Sequence, residues 1–185
     1  PANKTVLITG AGGGFGRHLV RQFRDQGAKL ILTDISDELL RGAIADAGSD
    51  LVASIASDLS AADGCEAVAE LCDAQQVMPD ILVNNAGGPP PGMWSDWSRD
   101  DFIAALDANM LTPIAMMQAV MLGMIDRGWG RVVNITSQSV KGPIPQLGLS
   151  NTARTGLTGF VAGTARQVAA KGVIVNNLLP GIHAT

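Results

Sequence analysis

Thr9-Gly10-Ala11-Gly12-Gly13-Gly14-Phe15-Gly16 is the stretch that decides the fold. A short apolar run, Val6–Thr9, leads into it, and a segment of helical periodicity over 14–26 leaves it. Five of the eight residues are glycine. Glycine admits positive φ and, having no Cβ, lets the backbone come close to whatever lies beside it. A tight turn alone does not need so many. The stretch reads as the turn between a first strand and a first helix, built for close approach.

Outward from this turn the same unit repeats. Short, mostly β-branched runs fall at Val6–Thr9, Leu30–Thr33, Leu51–Ile55, Ile81–Val83, Val132–Ile135 and Val173–Asn177. Such runs suit a parallel sheet buried on both faces. Helical periodicity occupies 14–26, 37–47, 61–75, 99–126 and 151–170. Gly27, the Gly87–Gly92 stretch with its prolines, and Gly128–Gly130 punctuate the boundaries. Strand–helix alternation of this kind predicts right-handed crossovers and a doubly wound α/β sheet with helices on both faces.

Composition narrows the partners. The chain has 185 residues, 46 % hydrophobic and 16 % charged, with net charge −4. That predicts one globular domain over 1–185 and offers no basic stripe for a nucleic acid or an anionic membrane. No uninterrupted apolar run approaches the roughly 18 residues of a membrane span, and the N-terminus does not read as a signal peptide, so a cytoplasmic protein is expected. Cys65 and Cys72 lie seven apart on one helical segment, too far to bridge and matching no metal spacing; they read as free thiols. No metal site is expected.

The glycine turn opens helix 14–26, whose free N–H groups and positive dipole end suit a pyrophosphate. A dinucleotide is therefore the expected ligand. Asp34 ends the second strand, 24 positions after Gly10. A carboxylate there accepts hydrogen bonds from the adenosine ribose of NAD and repels the extra phosphate of NADP. No Arg lies in the glycine turn or just after Asp34. The alternative for Asp34 is a helix N-cap.

The spacing Thr-Gly-x-x-x-Gly-x-Gly, with Asn84-Asn85-Ala86-Gly87 after the fourth strand, resembles the short-chain dehydrogenase/reductase family, and the likeness runs the length of the chain. It implies a Rossmann sheet, NAD or NADP as cofactor, an alcohol or carbonyl substrate, and a homodimer or homotetramer. It also implies roles by position. Gly10, Gly12, Gly13, Gly14, Phe15 and Gly16 would cradle the pyrophosphate. Asp34, Asp58, Leu59, Asn85, Ala86 and Gly87 would line the cofactor, as would Pro180, Gly181, His183 and Thr185 on the nicotinamide side. Asn109 and Ser137 stand where the family has catalytic Asn and Ser. Pro113, four residues past Asn109, has no N–H to return to its carbonyl, which frees that oxygen for a ligand or marks an incidental kink. Relatives continue past 180–185 through a lid and another strand. With no initiator Met and an end at Thr185, the chain reads as trimmed, the last strand and lid absent.

One departure bears on mechanism. The family's Tyr-x-x-x-Lys pair, about thirteen residues beyond its Ser, falls on Ser150 and Arg154, and the chain contains no Tyr. A serine hydroxyl is a far weaker acid than a phenol, and a guanidinium stays protonated. Arg154 is expected to hold the nicotinamide ribose without relaying a proton. His183 and Lys141 are candidates for the missing acid, His183 with a packing or surface alternative; Ser139 can pair with Ser137 as a donor to a substrate oxygen, but two serines do not make an acid. Two functions follow: an NAD-dependent oxidoreductase with an altered catalytic set, including Ser137, Asn109, Ser150 and Arg154, or a non-catalytic NAD sensor or assembly subunit. Leu157, Phe160, Val161, Ala165 and Val168 form either a subunit interface or a sheet-facing stripe. Trp94 and Trp97 wall a substrate pocket or cap a loop.

Overall fold

A computed structural model of the chain describes residues 2–181. The apolar runs form β1 (Thr5–Ile8), β2 (Lys29–Asp34), β3 (Leu51–Ala56), β4 (Ile81–Asn84), β5 (Gly130–Ile135) and β6 (Val173–Leu178). They make one parallel sheet in the order β3-β2-β1-β4-β5-β6. Val6, Leu7, Ile8 and Leu82 are fully buried, as strands covered on both faces require. The sequence order of the strands, not their direction, reverses between β1 and β4. Connections on either side of that point leave in opposite directions, which opens a crevice at the carboxyl ends of these strands.

Between them lie α1 (Gly14–Asp25), α2 (Asp37–Ala47), α3 (Gly64–Ala74), α4 (Arg99–Leu106), α5 (Thr112–Asp126) and α6 (Gly148–Val168). Helices α1 and α2 cover one face through Val20, Leu40, Ala43 and Ala47, over Val6, Ile8, Leu30 and Leu32. Helices α3, α5 and α6 cover the other, where Val68, Met116, Val120 and Leu157 meet Leu7, Leu82, Val132 and Val175. Alternation along β6 leaves Ile174 and Leu178 on the first face, 45 % and 49 % exposed, past the reach of α1 and α2.

Two expectations are corrected in detail, and one pair of alternatives is decided. The segment 61–75 becomes helical only at Gly64, because a turn comes first: Ala61 N–H donates to the Asp58 carbonyl and Gly64 N–H to that of Ala61. The segment 99–126 is not one uniform helix. A π turn, Asp107–Leu111, separates α4 from α5, with Thr112 N–H reaching back five residues to the Asp107 carbonyl. Pro113, unable to donate, stands just beyond it. Finally, Leu157, Val161 and Val168 face the sheet and Ala165 packs beside them, whereas Phe160 is 38 % exposed. The stripe on α6 therefore belongs mostly to the core. The run Arg99–Asp126, 28 residues with a best-window mean hydropathy of 1.4, is long and apolar enough to cross a membrane. Met116, Met117, Val120 and Met124 turn one side of that run to the sheet, while Leu111 and Leu122 stay exposed.

Candidate functional site

The glycine turn is compressed from three sides. Gly10 sits at φ +56°, and a Cβ on it would collide with the Asn85 backbone. Gly12 lies against the Leu39 backbone in the first turn of α2, and Gly16 against the Gly10 carbonyl and Ala11. Gly13 is the N-cap of α1 and supplies no capping side chain; Gly14 and Phe15 begin the helix, whose first turn holds no acid. The first turn thus sets no acidic side chain against an anion at this terminus.

A second loop locks the first in place. Thr9 Oγ–H donates to the Asn85 carbonyl at 2.9 Å, and Asn85 N–H returns a bond to Thr9 Oγ1 at 2.9 Å. Asn85 Nδ2 also donates to the Gly10 carbonyl at 2.9 Å. The ends of β1 and β4, either side of the reversal point, are stapled by these three bonds.

Asp34 is not the cap of α2. Ser36 takes that role, accepting from Leu39 N–H. The Asp34 carboxylate instead accepts from Gly12 N–H at 2.8 Å and from Ile35 N–H at 2.8 Å. It is fixed to the glycine turn and keeps lone pairs for another donor. Asp58 accepts from both the backbone and the hydroxyl of Ser60, which hold its carboxyl below the usual carboxylate range. The Leu59 carbonyl accepts from Thr112 Oγ–H, tying this corner to α5. Arg17, the first cation past the glycine turn, is engaged with Asp46 at 2.8 Å.

A cavity of about 310 Å³ runs along the strand ends. Asp34, Asp58 and Leu59 wall it at the β2–β3 end, Gly10, Asn85, Ala86 and Gly87 in the middle, and Asn109 and Arg154 at the far end. Its walls do not include Ser137 or Ser150. Ser150 is buried on α6, one turn before Arg154. Ser137 caps a short turn after β5, where its oxygen accepts from Ser139 N–H. That contact leaves the Ser137 hydroxyl its proton to donate.

Arg154 is 7 % exposed. Its guanidinium donates to the Ile135 carbonyl at 2.6 Å, the Thr136 carbonyl at 3.2 Å and the Ala86 carbonyl at 3.4 Å. It clamps the ends of β4 and β5 together. Burial lowers its pKa from the usual value, although a guanidinium stays charged regardless. Among the described residues it forms no ion pair. Asn109 lies in the π turn, 4 % exposed, and its Oδ1 has no partner among the described residues. A buried acceptor left open on a cavity wall is suited to a ligand or water.

Sequence reading did not single out the floor. Asn84, Asn134 and Asn177 share one register across β4, β5 and β6. Asn84 Nδ2 donates to Asn134 Oδ1 at 2.8 Å and to the Pro113 carbonyl at 3.2 Å, and Asn134 Nδ2 to Asn177 Oδ1 at 3.2 Å. Asn84 and Asn134 line the cavity. Amides inside otherwise apolar strands were the available signal; their alignment needs the register.

Of the remaining candidates, Pro180 accepts from Gln138 N–H at 3.0 Å, which brings the Pro180–Gly181 loop to the turn that follows Ser137. His183 and Thr185 lie outside the described residues. Trp97 caps a loop: its ring covers Gly92 and Gly148 and meets Phe102 edge-on at 6.3 Å. Trp94 is 84 % exposed.

The chain belongs to the short chain dehydrogenase family, which it matches over residues 4–185. It is similar to acetoacetyl-CoA reductase of Cupriavidus necator, 44 % identical over 108 residues, which span 57 % of this chain and 43 % of that reductase. It is also similar to the 3-oxoacyl-[acyl-carrier-protein] reductase FabG of Vibrio cholerae, 31 % identical over 187 residues, 98 % of this chain and 74 % of the relative. NAD⁺-bound xylitol dehydrogenase has the same fold, with a TM-score of 0.91 at 25 % identity, covering all of this chain and 72 % of the other. The region similar to acetoacetyl-CoA reductase is thus less than half of that enzyme.

Proposed function

We propose that this chain is an NAD-dependent oxidoreductase acting on an alcohol or carbonyl substrate, with Ser150 and Arg154 in the positions of the family's Tyr and Lys. The observation that carries this reading is the Asp34 carboxylate, fixed to the glycine turn at the wall of the cavity. Its free lone pairs suit ribose hydroxyls, and its charge disfavours a ribose phosphate. Arg17, the nearest following cation, is occupied by Asp46. Gly10, Gly12 and Gly16, where a Cβ would collide with the Asn85, Leu39 and Gly10 backbone, keep the turn before α1 tight, and a helix start reached by such a turn suits a pyrophosphate. Nicotinamide dinucleotide, when bound, supplies or accepts the hydride. Ser137 donates to the substrate oxygen, Arg154 holds the ribose beside the Ala86 carbonyl, and Asn109 accepts from a ligand or water at its open Oδ1. The general-acid contribution of a tyrosine is missing, so slow carbonyl turnover is expected.

The same reading makes the protein a cytoplasmic homo-oligomer. Leu111, Leu122 and Phe160, 47 %, 71 % and 38 % exposed, provide apolar surface for a subunit contact on the outer helices. Light scattering after size exclusion checks the oligomer. The function is tested by NADH consumption over ketones, aldehydes and 3-oxoacyl thioesters. Turnover of one of these supports it, whereas tight NAD binding without turnover on any identifies a sensor or assembly subunit.

A further inference from the structure

The cavity is electrically polarised along its length. Its two carboxylates, Asp34 and Asp58, belong to the β2–β3 end. Its one guanidinium, Arg154, spans the ends of β4 and β5. With strands about 4.8 Å apart, Asp34 and Arg154 stand roughly 10–14 Å from each other. The guanidinium is 7 % exposed and has only carbonyl dipoles as partners. None of the described residues gives it a carboxylate, and with no tyrosine in the sequence no phenolate can form beside it.

We infer that this uncompensated cation makes the site hold the reduced dinucleotide more tightly than the oxidised one. The inference rests on reading the cavity as a nicotinamide dinucleotide site with the nicotinamide at the Arg154 end. The two cofactor forms share adenosine, pyrophosphate and both riboses. They differ at the nicotinamide ring, which carries a positive charge when oxidised and none when reduced. Every contact with the shared parts cancels from the ratio of affinities. What remains is the interaction of that ring charge with the charges around it. In a desolvated site a fixed guanidinium repels the charged ring far more than it would in water. Asp34 and Asp58 lie too far away, and too near solvent, to offset this. The chain is thereby biased to retain the reduced cofactor, which suits either a reductase resting in its loaded form or a detector of the reduced pool.

Calorimetric titration of the wild-type chain with NAD⁺, NADH and ADP tests this. NADH is expected to bind about tenfold or more tightly than NAD⁺, equivalent to about 1.4 kcal/mol. In Arg154→Gln the ratio should fall to within about threefold, while ADP, which reports on the other end, binds as before. Arg154→Lys, which keeps the charge, should keep the ratio. Should Arg154→Gln fail to fold, Ser150→Asp places a carboxylate one helical turn before Arg154, and it should lower the ratio in the same direction. A ratio near one in the wild type, or one unmoved by both Arg154→Gln and Ser150→Asp, overturns the inference. Binding of ADP but of neither nicotinamide form overturns the cofactor reading and the inference with it.

Discussion

The two ends of the cavity are held together in different ways. At the β2–β3 end and the middle the wall groups are tied to the protein, Asp34 to Gly12, Asp58 to Ser60, Thr9 and Asn85 to each other, with Thr33 Oγ1 behind them lacking a partner among the described residues. At the far end the groups come from the π turn, the loop after β5 and the middle of the sheet-facing α6. There, among the described residues, Asn109 Oδ1 and Ser139 Oγ are buried without partners and Arg154 has only carbonyls. The first end is preorganised for a ligand; the second is assembled around what it must hold. Binding can therefore persist at one end while the chemistry at the other changes.

The largest expected effect falls at the second end. Ser150→Tyr combined with Arg154→Lys should raise carbonyl reduction by about 10²–10⁴-fold, the usual worth of a positioned general acid. Steady-state NADH consumption reads this, and a double variant no faster than the parent means the pair is not what limits turnover. Next comes the first end. Gly16→Val puts a side chain into the Gly10 carbonyl and the Ala11 backbone. It should cost about 2–3 kcal/mol, a fall in Tm of roughly 5–10 °C by calorimetric scanning, with dinucleotide binding lost. Thr9→Val removes the reciprocal bonds with Asn85 and should cost about 1–2 kcal/mol in denaturant unfolding. An effect below about 0.5 kcal/mol would show that the staple does not hold the two loops.

The smallest effect is a shift in pH dependence. Ser60 holds Asp58 ionised below the usual carboxylate range. A depressed carboxylate gives its contribution at higher pH and loses it as pH falls through the lowered value. Ser60→Ala should move the acid limb of dinucleotide binding upward, towards the ordinary carboxylate range. An unmoved limb separates Asp58 from cofactor binding.

How much was legible in the sequence follows the same division. The glycine turn is written in one short segment, because its parts are sequential: a strand end, a turn, a helix start. The six strands lie within one or two residues of their apolar runs, since burial on both faces needs unbroken apolar character. Legibility fell where geometry depends on distant register. Proline at 113 signalled a disturbance, yet the widened turn at 107–111 could not be told from a continuous helix, because its apolar face keeps nearly the same period. Asp34 was ambiguous between ribose acceptor and cap until Ser36 was seen to cap α2. The asparagine ladder across β4, β5 and β6 depends on which residues pair. The α6 stripe could face sheet or partner, and periodicity gives the stripe without its direction.

The central claim is that the glycine turn and Asp34 together select NAD. Calorimetric titration of NAD and NADP into the wild-type chain and into Asp34→Ala tests it most directly. NAD should bind the wild type at least about tenfold more tightly than NADP, about 1.4 kcal/mol, and the preference should narrow in the variant. Equal affinities in the wild type, or a preference that Asp34→Ala leaves unchanged, would contradict the claim.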